Sequence, residues 1–201
     1  MTAVELTEVS RWYGNVVAVN DVTLTVGPGL TGLLGPNGAG KTTVLHLMAG
    51  LLAPSQGTVT VGDQPAWRNP EMYRQLGLVT ERESVPGFLT AREFVLASAK
   101  LHKLPDPVAA TRAALGIVEM EAAQDREIST YSKGMRQRTR VAAALVHDPR
   151  VLLLDEPFNG MDPRQRMHMM ELLHRMADEG RTILSARTSW RRSSSCRERC
   201  R

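Results

Sequence analysis

Gly35-Pro36-Asn37-Gly38-Ala39-Gly40-Lys41-Thr42 decides the fold of this chain. The apolar run Leu30–Leu34 precedes it and the helix-forming segment Val44–Ala49 follows, so this G-x-x-x-x-G-K-T loop stands between a predicted strand and a predicted helix. In that context the glycines let successive backbone N–H groups point at phosphates, and the helix adds the positive end of its dipole. The alternative, a glycine-rich turn with a surface lysine, does not account for the strand, loop and helix together. The loop therefore predicts a nucleoside triphosphate site, with Lys41 on the β/γ oxygens and the Thr42 hydroxyl on Mg²⁺.

Length and composition limit the classes of protein to which this chain can belong. The 201 residues suffice for one domain with a sizeable core, or one domain with a small insert. The chain shows no apolar run of about 18 residues, and its N-terminus lacks the basic and apolar regions of a signal peptide. We therefore expect neither a membrane span nor a signal peptide, and we expect a cytosolic protein.

Positive charge is concentrated in the last segment, residues 185–201. Six arginines and one glutamate give it a net charge of +5, so the rest of the chain carries −1 of the overall +4. Both cysteines, Cys196 and Cys200, lie there too, and a lone C-x₃-C pair is weak evidence for a metal site, so none is assigned. We expect the domain to span residues 1–184 and residues 185–201 to form an aberrant, disordered basic tail.

Secondary-structure patterns predict an α/β protein with a β-rich beginning and a helical insert. Short β-branched or apolar runs separated by turn residues predict strands, the first of them antiparallel. These runs are Val4–Leu6, Val16–Val19, Leu24–Val26, Thr58–Val61 and Leu76–Val79. From Thr90 the pattern becomes helical, which predicts an insert at about residues 90–135.

Three further stretches carry candidate functional residues. Tyr13, at the first turn, is able to stack on a purine ring, although such aromatics more often cover a turn. Ser132 is a plausible helix N-cap, and Gly134 leaves the backbone open to a ligand. The run Val151–Leu154 predicts a buried strand that delivers Asp155 and Glu156 at its carboxyl end, where ligands bind in open α/β sheets.

Together these motifs, in their order and spacing from Val4 to Leu184, closely resemble the nucleotide-binding subunit of an ATP-binding cassette (ABC) transporter. The resemblance implies a P-loop NTPase core with an N-terminal antiparallel β subdomain and a helical insert. It implies ATP and Mg²⁺ as cofactors, with Tyr13 stacking on adenine, Asp155 holding the metal with Thr42, and Glu156 as the general base. The residues of the phosphate loop that it assigns to ATP are Gly35, Pro36, Asn37, Gly38, Ala39, Gly40, Lys41, Thr42 and Thr43.

The resemblance also implies a second subunit. Tyr131-Ser132-Lys133-Gly134-Met135 stands where the family has Leu-Ser-Gly-Gly-Gln, so Ser132 and Gly134 are expected to contact the γ-phosphate bound by the opposite chain. Asp162 matches the acid of the loop that crosses the dimer interface. We therefore expect a homodimer, or a heterodimer with a similar subunit, on the inner face of the cell membrane beside a separate polytopic permease. Nucleic acid is not an expected partner.

Two departures from the family pattern matter. Glu81 stands where the family usually has a glutamine that meets Mg²⁺, and its carboxylate is able to ligate a hard cation and take part in catalysis with Lys41 and Glu156. The family also has a histidine soon after Thr182–Leu184, and none follows here.

A shift of the reading frame would account for the missing histidine. Codons for Leu184 to Cys196 can be chosen so that the same bases encode a second sequence in another frame. Read from the last G of the Leu184 codon, they encode Val-Ser-Ser-His-Ile-Leu-Glu-Glu-Val-Glu-Gln-Leu, which would follow Leu184 in the shifted frame. That is the continuation expected of the family, and the codon of Trp190 leaves no choice. We therefore interpret residues 185–201 as an out-of-frame sequence, with a genuine basic tail as the alternative.

Three functions remain in competition. The first is the ATPase subunit of a transporter, most consistent with export. The second is an ABC ATPase of DNA repair or translation that works without a permease, although this chain has neither long heptad-patterned inserts nor a second cassette. The third is an inactive, truncated remnant of a transporter ATPase.

Overall fold

The computed structural model describes residues 3–81 and 85–188. Its strands are β1 Val4–Tyr13, β2 Val16–Val26, β3 Gly29–Leu34, β4 Gln56–Val61, β5 Gln64–Pro65, β6 Leu76–Val79, β7 Val151–Asp155 and β8 Thr182–Arg187. Its α-helices are α1 Lys41–Met48, α2 Ala91–Leu101, α3 Pro107–Ile117, α4 Lys133–Leu145 and α5 Pro163–Asp178. This mixed α/β arrangement confirms the predicted fold class.

The predicted antiparallel subdomain is a four-stranded sheet in the order β2-β1-β4-β5. The first two strands form a hairpin, in which Tyr13 pairs with Val16 across a two-residue turn and Val4 pairs with Val26 at the far end. Its apolar face packs on helix α1, where Leu45, Leu47 and Met48 are buried. The hairpin therefore holds its turn next to the start of the phosphate-loop helix.

The second sheet is parallel, in the order β3-β8-β7-β6. Strand β7 is buried along its whole length, as its run of aliphatic residues predicts for a central parallel strand. Because side chains alternate between the faces of a strand, Val151 and Leu153 pack with α1 and the antiparallel sheet, whereas Leu152 and Leu154 pack with the helices on the other face. Helix α1 is thus enclosed between the two sheets.

The helical insert begins where the sequence indicates. Thr90 caps α2 in a capping box with Glu93, and Asp106 caps α3 ahead of Pro107, so each helix starts at a residue suited to that position. Both helices contribute buried residues to the core that α4 and α5 share with β7. The insert is therefore packed against the core of the domain and shares its hydrophobic interior.

Strand β8 continues three residues past Leu184, where the change in composition had placed the start of a disordered tail. Ser185 and Ala186 are buried, and they pair with β3 on one side and β7 on the other. Small residues fit this central position, so composition did not mark the structural boundary. The hydroxyl of Ser185 is buried and has no hydrogen-bond partner among the described residues. Residues 189–201, which hold the rest of the expected tail, lie outside the described residues.

Within the part of the chain that the structure describes, no helix combines the length and apolar character needed to cross a membrane.

Candidate functional site

The four parallel strands deliver the candidate residues to one edge of the sheet. Strand β3 leads into the phosphate loop, β7 ends at Asp155, β6 ends shortly before Glu81, and β8 ends at Arg187, one residue before Thr188. These carboxyl ends surround a cavity of about 360 Å³. Its wall consists of Val16, Val17, Ala18, Asn37, Gly38, Gly40, Lys41, Thr42, Thr43, Glu81, Asp155, Glu156 and Thr188. This is the ligand position expected of an open α/β sheet.

The phosphate loop wraps around the amine of Lys41. Lys41 Nζ donates to the carbonyl oxygens of Gly35 and Pro36, at 2.8 and 2.9 Å. Gly40 has a φ of 80° and caps the start of α1, and a Cβ on it would lie 2.4 Å from the carbonyl oxygen of Ala18. Glycine is therefore required there by both the left-handed backbone and the close approach of β2.

The candidate metal ligands are in contact. Thr42 Oγ1 donates to Asp155 Oδ2 at 2.6 Å, and Asp155 is buried at the end of β7. Glu81 lies in the same cavity wall. Among the described residues no group of three or more His, Cys, Asp or Glu side chains is able to hold a metal ion by itself. The Thr42 hydroxyl and the carboxylates of Asp155 and Glu81 nevertheless fit Mg²⁺, which binds through one or two carboxylates together with phosphate oxygens and water.

Glu156 leaves the strand in an unusual conformation. Its φ of 49° is left-handed, a region that non-glycine residues enter at a cost, often at functional sites. Its backbone N–H donates to the carbonyl oxygen of Ala186 at 3.0 Å. The turn allows both Asp155 and Glu156 to line the cavity, although successive side chains of a straight strand point to opposite faces.

Thr188 closes the cavity from β8. Its backbone N–H and its hydroxyl each lie 2.5 Å from Glu156 Oε1, and its hydroxyl is 3.0 Å from Asn37 Oδ1. The sequence motifs did not single out Thr188, Val16, Val17 or Ala18. The one available signal for Thr188 was the expectation of a histidine shortly after Leu184.

Several predicted ligands do not lie in this wall. Tyr13 is 44% exposed and pairs with the lining residue Val16, and the guanidinium of Arg11 sits 4.8 Å above its ring. Ser132 caps α4 through Met135 N–H, and Asp162 caps α5 through Gln165 N–H. A Cβ on Gly134 would lie 2.4 Å from Gln165 Oε1, so Gly134 packs against the end of the Gln165 side chain on α5, which a larger residue would displace. Ser132, Asp162 and Gly134 thus each have a structural role within the chain, and none of them lines the cavity.

A second cavity, of about 300 Å³, lies between α2, α4 and β6 and contains two stacked histidines. The rings of His102 and His147 are 3.7 Å apart and nearly parallel. Burial, with a smaller contribution from the charge of His102, lowers the pKa of His147 to about 4, although the Leu76 carbonyl and Asp148 oppose the shift. Burial also lowers the pKa of His102. Both rings are therefore held neutral in the folded chain at neutral pH.

This pair predicts a loss of stability in mild acid. A histidine whose pKa is lowered on folding binds more protons when unfolded, so its contribution is complete above about pH 6.5 and is lost as the pH falls toward 4. We expect His147→Gln to reduce the fall in melting temperature between pH 7 and 5 by about 4 °C, and the exposed His174→Gln to leave it unchanged. Thermal unfolding at both pH values measures this difference, and parallel curves for all three chains would contradict it.

A phosphate loop after a parallel strand, with two carboxylates at the end of another strand of the same sheet, defines a P-loop nucleotide-binding domain. The family model described as "ABC transporter" matches residues 19–159. The chain belongs to this family, as the resemblance of its motifs implies.

Relatives and a solved structure agree with this family. The Nod factor export ATP-binding protein I of Sinorhizobium fredii is 38% identical over 192 residues, which cover 90% of this chain and 54% of that protein. The bacitracin transport ATP-binding protein BcrA of Bacillus licheniformis is 36% identical, with 89% and 58% covered. A solved ATP-binding subunit of an ABC transporter superimposes with a TM-score of 0.82 at 27% identity, covering 92% of this chain and 79% of that one. The chain thus spans little more than half the length of these two curated relatives.

Proposed function

We propose that this chain binds and hydrolyses ATP to power transport, most consistent with export, by a separate membrane permease. One observation carries the catalytic part: a single cavity brings together the phosphate loop, Asp155 and Glu156. The names of the relatives, which refer to the export of Nod factor and the transport of bacitracin, support the transport part. We further propose that it works in the cytoplasm, at the inner face of the membrane.

The residues of the cavity divide the chemistry among them. Backbone N–H groups of the loop and Lys41 bind the phosphates, and Tyr13 offers its exposed ring to adenine beside the cavity. Water attacks the γ-phosphorus, the bond to the β–γ bridging oxygen breaks, and Glu156 accepts the proton of the water. Mg²⁺, held by Thr42, Asp155 and Glu81, would supply neutralisation of the phosphate charge.

We also propose that two chains form the working unit. Ser132 and Asp162 lie outside the cavity of their own chain, yet each sits at the start of a helix, with Ser132 using its oxygen as an acceptor. A hydroxyl that accepts one hydrogen bond still has a proton to donate. The Ser132 hydroxyl is thus available to a phosphate held by a second subunit, whereas the Asp162 carboxylate is available to hydrogen-bond donors of that subunit.

The second cavity is our candidate for the permease contact. Leu101 lines it while remaining 83% exposed, so a partner seated here would bury the apolar surface of that side chain. Arg140, also in its wall, donates to the backbone and hydroxyl oxygens of Thr80, directly before Glu81. A partner seated here would therefore act close to both the insert and the nucleotide cavity.

Co-purification tests the transport proposal. The product of the neighbouring gene, if it has several spans of about 20 apolar residues, is expected to bind this chain and to raise its ATPase activity. Leu101→Asp should weaken that binding, whereas Val108→Asp, an equally drastic change at an exposed position of α3, should not. Association with ribosomes or DNA instead would contradict the proposal and favour an ABC ATPase without a permease.

Glu81 gives a prediction about the metal. Glu81→Gln removes one negative charge from a wall that also contains Asp155 and Glu156, so ATP binding should depend less on Mg²⁺. We expect the ratio of ATP affinity with saturating Mg²⁺ to ATP affinity without Mg²⁺ to fall about fivefold. Titration of ATP affinity against Mg²⁺ measures this, with the exposed Glu5→Gln on β1 as control. Identical titrations for Glu81→Gln and the original chain would show that Glu81 does not act on the bound nucleotide.

A further inference from the structure

We propose that Thr188 is a positioning residue that holds the Glu156 carboxylate in the orientation needed to accept the proton of the attacking water. This inference rests on the proposed ATP hydrolysis and assigns a role to a residue that no sequence motif identifies. Two groups of Thr188, its backbone N–H and its hydroxyl, converge on the same oxygen, Glu156 Oε1, at 2.5 Å each.

The direction of the hydroxyl bond follows from proton counting. Thr188 Oγ1 lies near two acceptors, Glu156 Oε1 and Asn37 Oδ1, at 2.5 and 3.0 Å, but it has one proton. The shorter contact is with a carboxylate, and a hydrogen bond to a charged acceptor is the stronger of the two. The hydroxyl therefore donates to Glu156, while the amide of Asn37, turned so that its nitrogen faces Thr188, is able to donate to the hydroxyl oxygen.

Strand β8 thus fixes Glu156 at both its backbone and its side chain. The Ala186 carbonyl accepts the Glu156 N–H at 3.0 Å, and two residues later Thr188 holds the carboxylate. The left-handed φ of Glu156 is a conformation that persists only where surrounding contacts enforce it. The end of β8 supplies such contacts, and through Asn37 it extends them to the phosphate loop.

The two oxygens of the Glu156 carboxylate therefore have different roles in the reaction. With Oε1 engaged by two donors, Oε2 is the oxygen that receives the proton. A glutamate that rotates freely would spend part of its time turned away from the water, and a poorly placed base loses rate without losing substrate affinity. Thr188 should accordingly affect kcat and leave KM for ATP nearly unchanged.

A spectroscopic measurement tests the contact without catalysis. In the full 201-residue chain, the Thr188 amide proton should resonate downfield because it donates to a carboxylate. Glu156→Gln, which makes the acceptor neutral, should move it upfield, whereas Glu171→Gln on the exposed face of α5 should leave it in place. An amide resonance that is identical in Glu156→Gln and the original chain would overturn the contact, and with it the proposal.

Kinetics then test the role. Thr188→Val keeps the side-chain shape and removes the hydroxyl, so kcat should fall about tenfold or more with KM within about twofold, the scale of a lost hydrogen bond to a charged group. Thr188→Ser should restore kcat, and Thr25→Val, an exposed threonine on β2, should not change it. Equal kcat in Thr188→Val and the original chain overturns the positioning role alone. A chain that makes the contact but hydrolyses no ATP overturns the proposed function and, with it, this assignment.

Discussion

Glu156→Gln is expected to lower kcat for ATP hydrolysis by about 10²–10⁴, the range for removal of a general base, while ATP still binds within about twofold of its original affinity. The reason is that Glu156 is needed when water loses its proton, whereas the bound ATP is held by the phosphate loop. Because hydrolysis would normally reopen the ATP-bound pair of chains, this variant should accumulate as a closed dimer. Light scattering with ATP should then give twice the 22.1 kDa of the monomer.

Lys41→Ala is expected to have the opposite effect to Glu156→Gln, because it should remove ATP binding and not the chemical step alone. Lys41 interacts with phosphates already present in the ground state, so its loss should weaken ATP binding about 100-fold or more and prevent the dimer from forming. The two hydrogen bonds that Lys41 donates to Gly35 and Pro36 disappear as well, which removes support from the loop itself.

Two matched variants control these measurements. Glu171→Gln and Lys103→Ala change the same residue types at exposed positions away from the cavity, and both should behave like the original chain. Unchanged hydrolysis in Glu156→Gln would remove Glu156 from the role of base. Tight ATP binding by Lys41→Ala would show that the loop binds phosphate through its backbone alone.

The sequence was most informative where function depends on short segments. The phosphate loop, α1 and the Asp155-Glu156 pair are each encoded within a few neighbouring residues, and the buried run before Asp155 indicates a central strand by itself. Parallel pairing then brings these segments together, because all four strands end at the same edge. Both the fold class and the position of the cavity were therefore accessible before the structure.

The remainder of the site depends on contacts between distant residues. Val16 and Val17 reach the cavity because their hairpin packs against α1, and no local pattern distinguishes them from other exposed strand residues. Thr188 lies 32 residues from Glu156 in sequence and is placed by the pairing of β8 between β3 and β7. Composition also misplaced the end of the ordered domain, since Ser185 and Ala186, which belong to the segment of changed composition, are buried in the central strand β8.

The structure adds a physical argument to the frame-shift interpretation. The shifted frame places valine at position 185, where the chain now buries a serine hydroxyl without a hydrogen-bond partner among the described residues. A buried polar group without a partner costs about 1–3 kcal/mol, and a valine would avoid that cost. The same frame places histidine at position 188, where Thr188 now contacts Glu156 and Asn37.

Inserting one G after the Leu184 codon is therefore expected to raise ATPase activity by about 100-fold, the scale of one added donor for charge that develops on the γ-phosphate. The substitutions separate the contributions: Ser185→Val should raise the melting temperature by about 3 °C with little change in kcat, and Thr188→His should raise kcat with little change in stability. ATPase assays and thermal unfolding on the four chains measure both. DNA codons across 184–196 that do not permit the shifted reading would rule out the frame shift, and full activity in the 201-residue form would show that Thr188 already serves in place of a histidine.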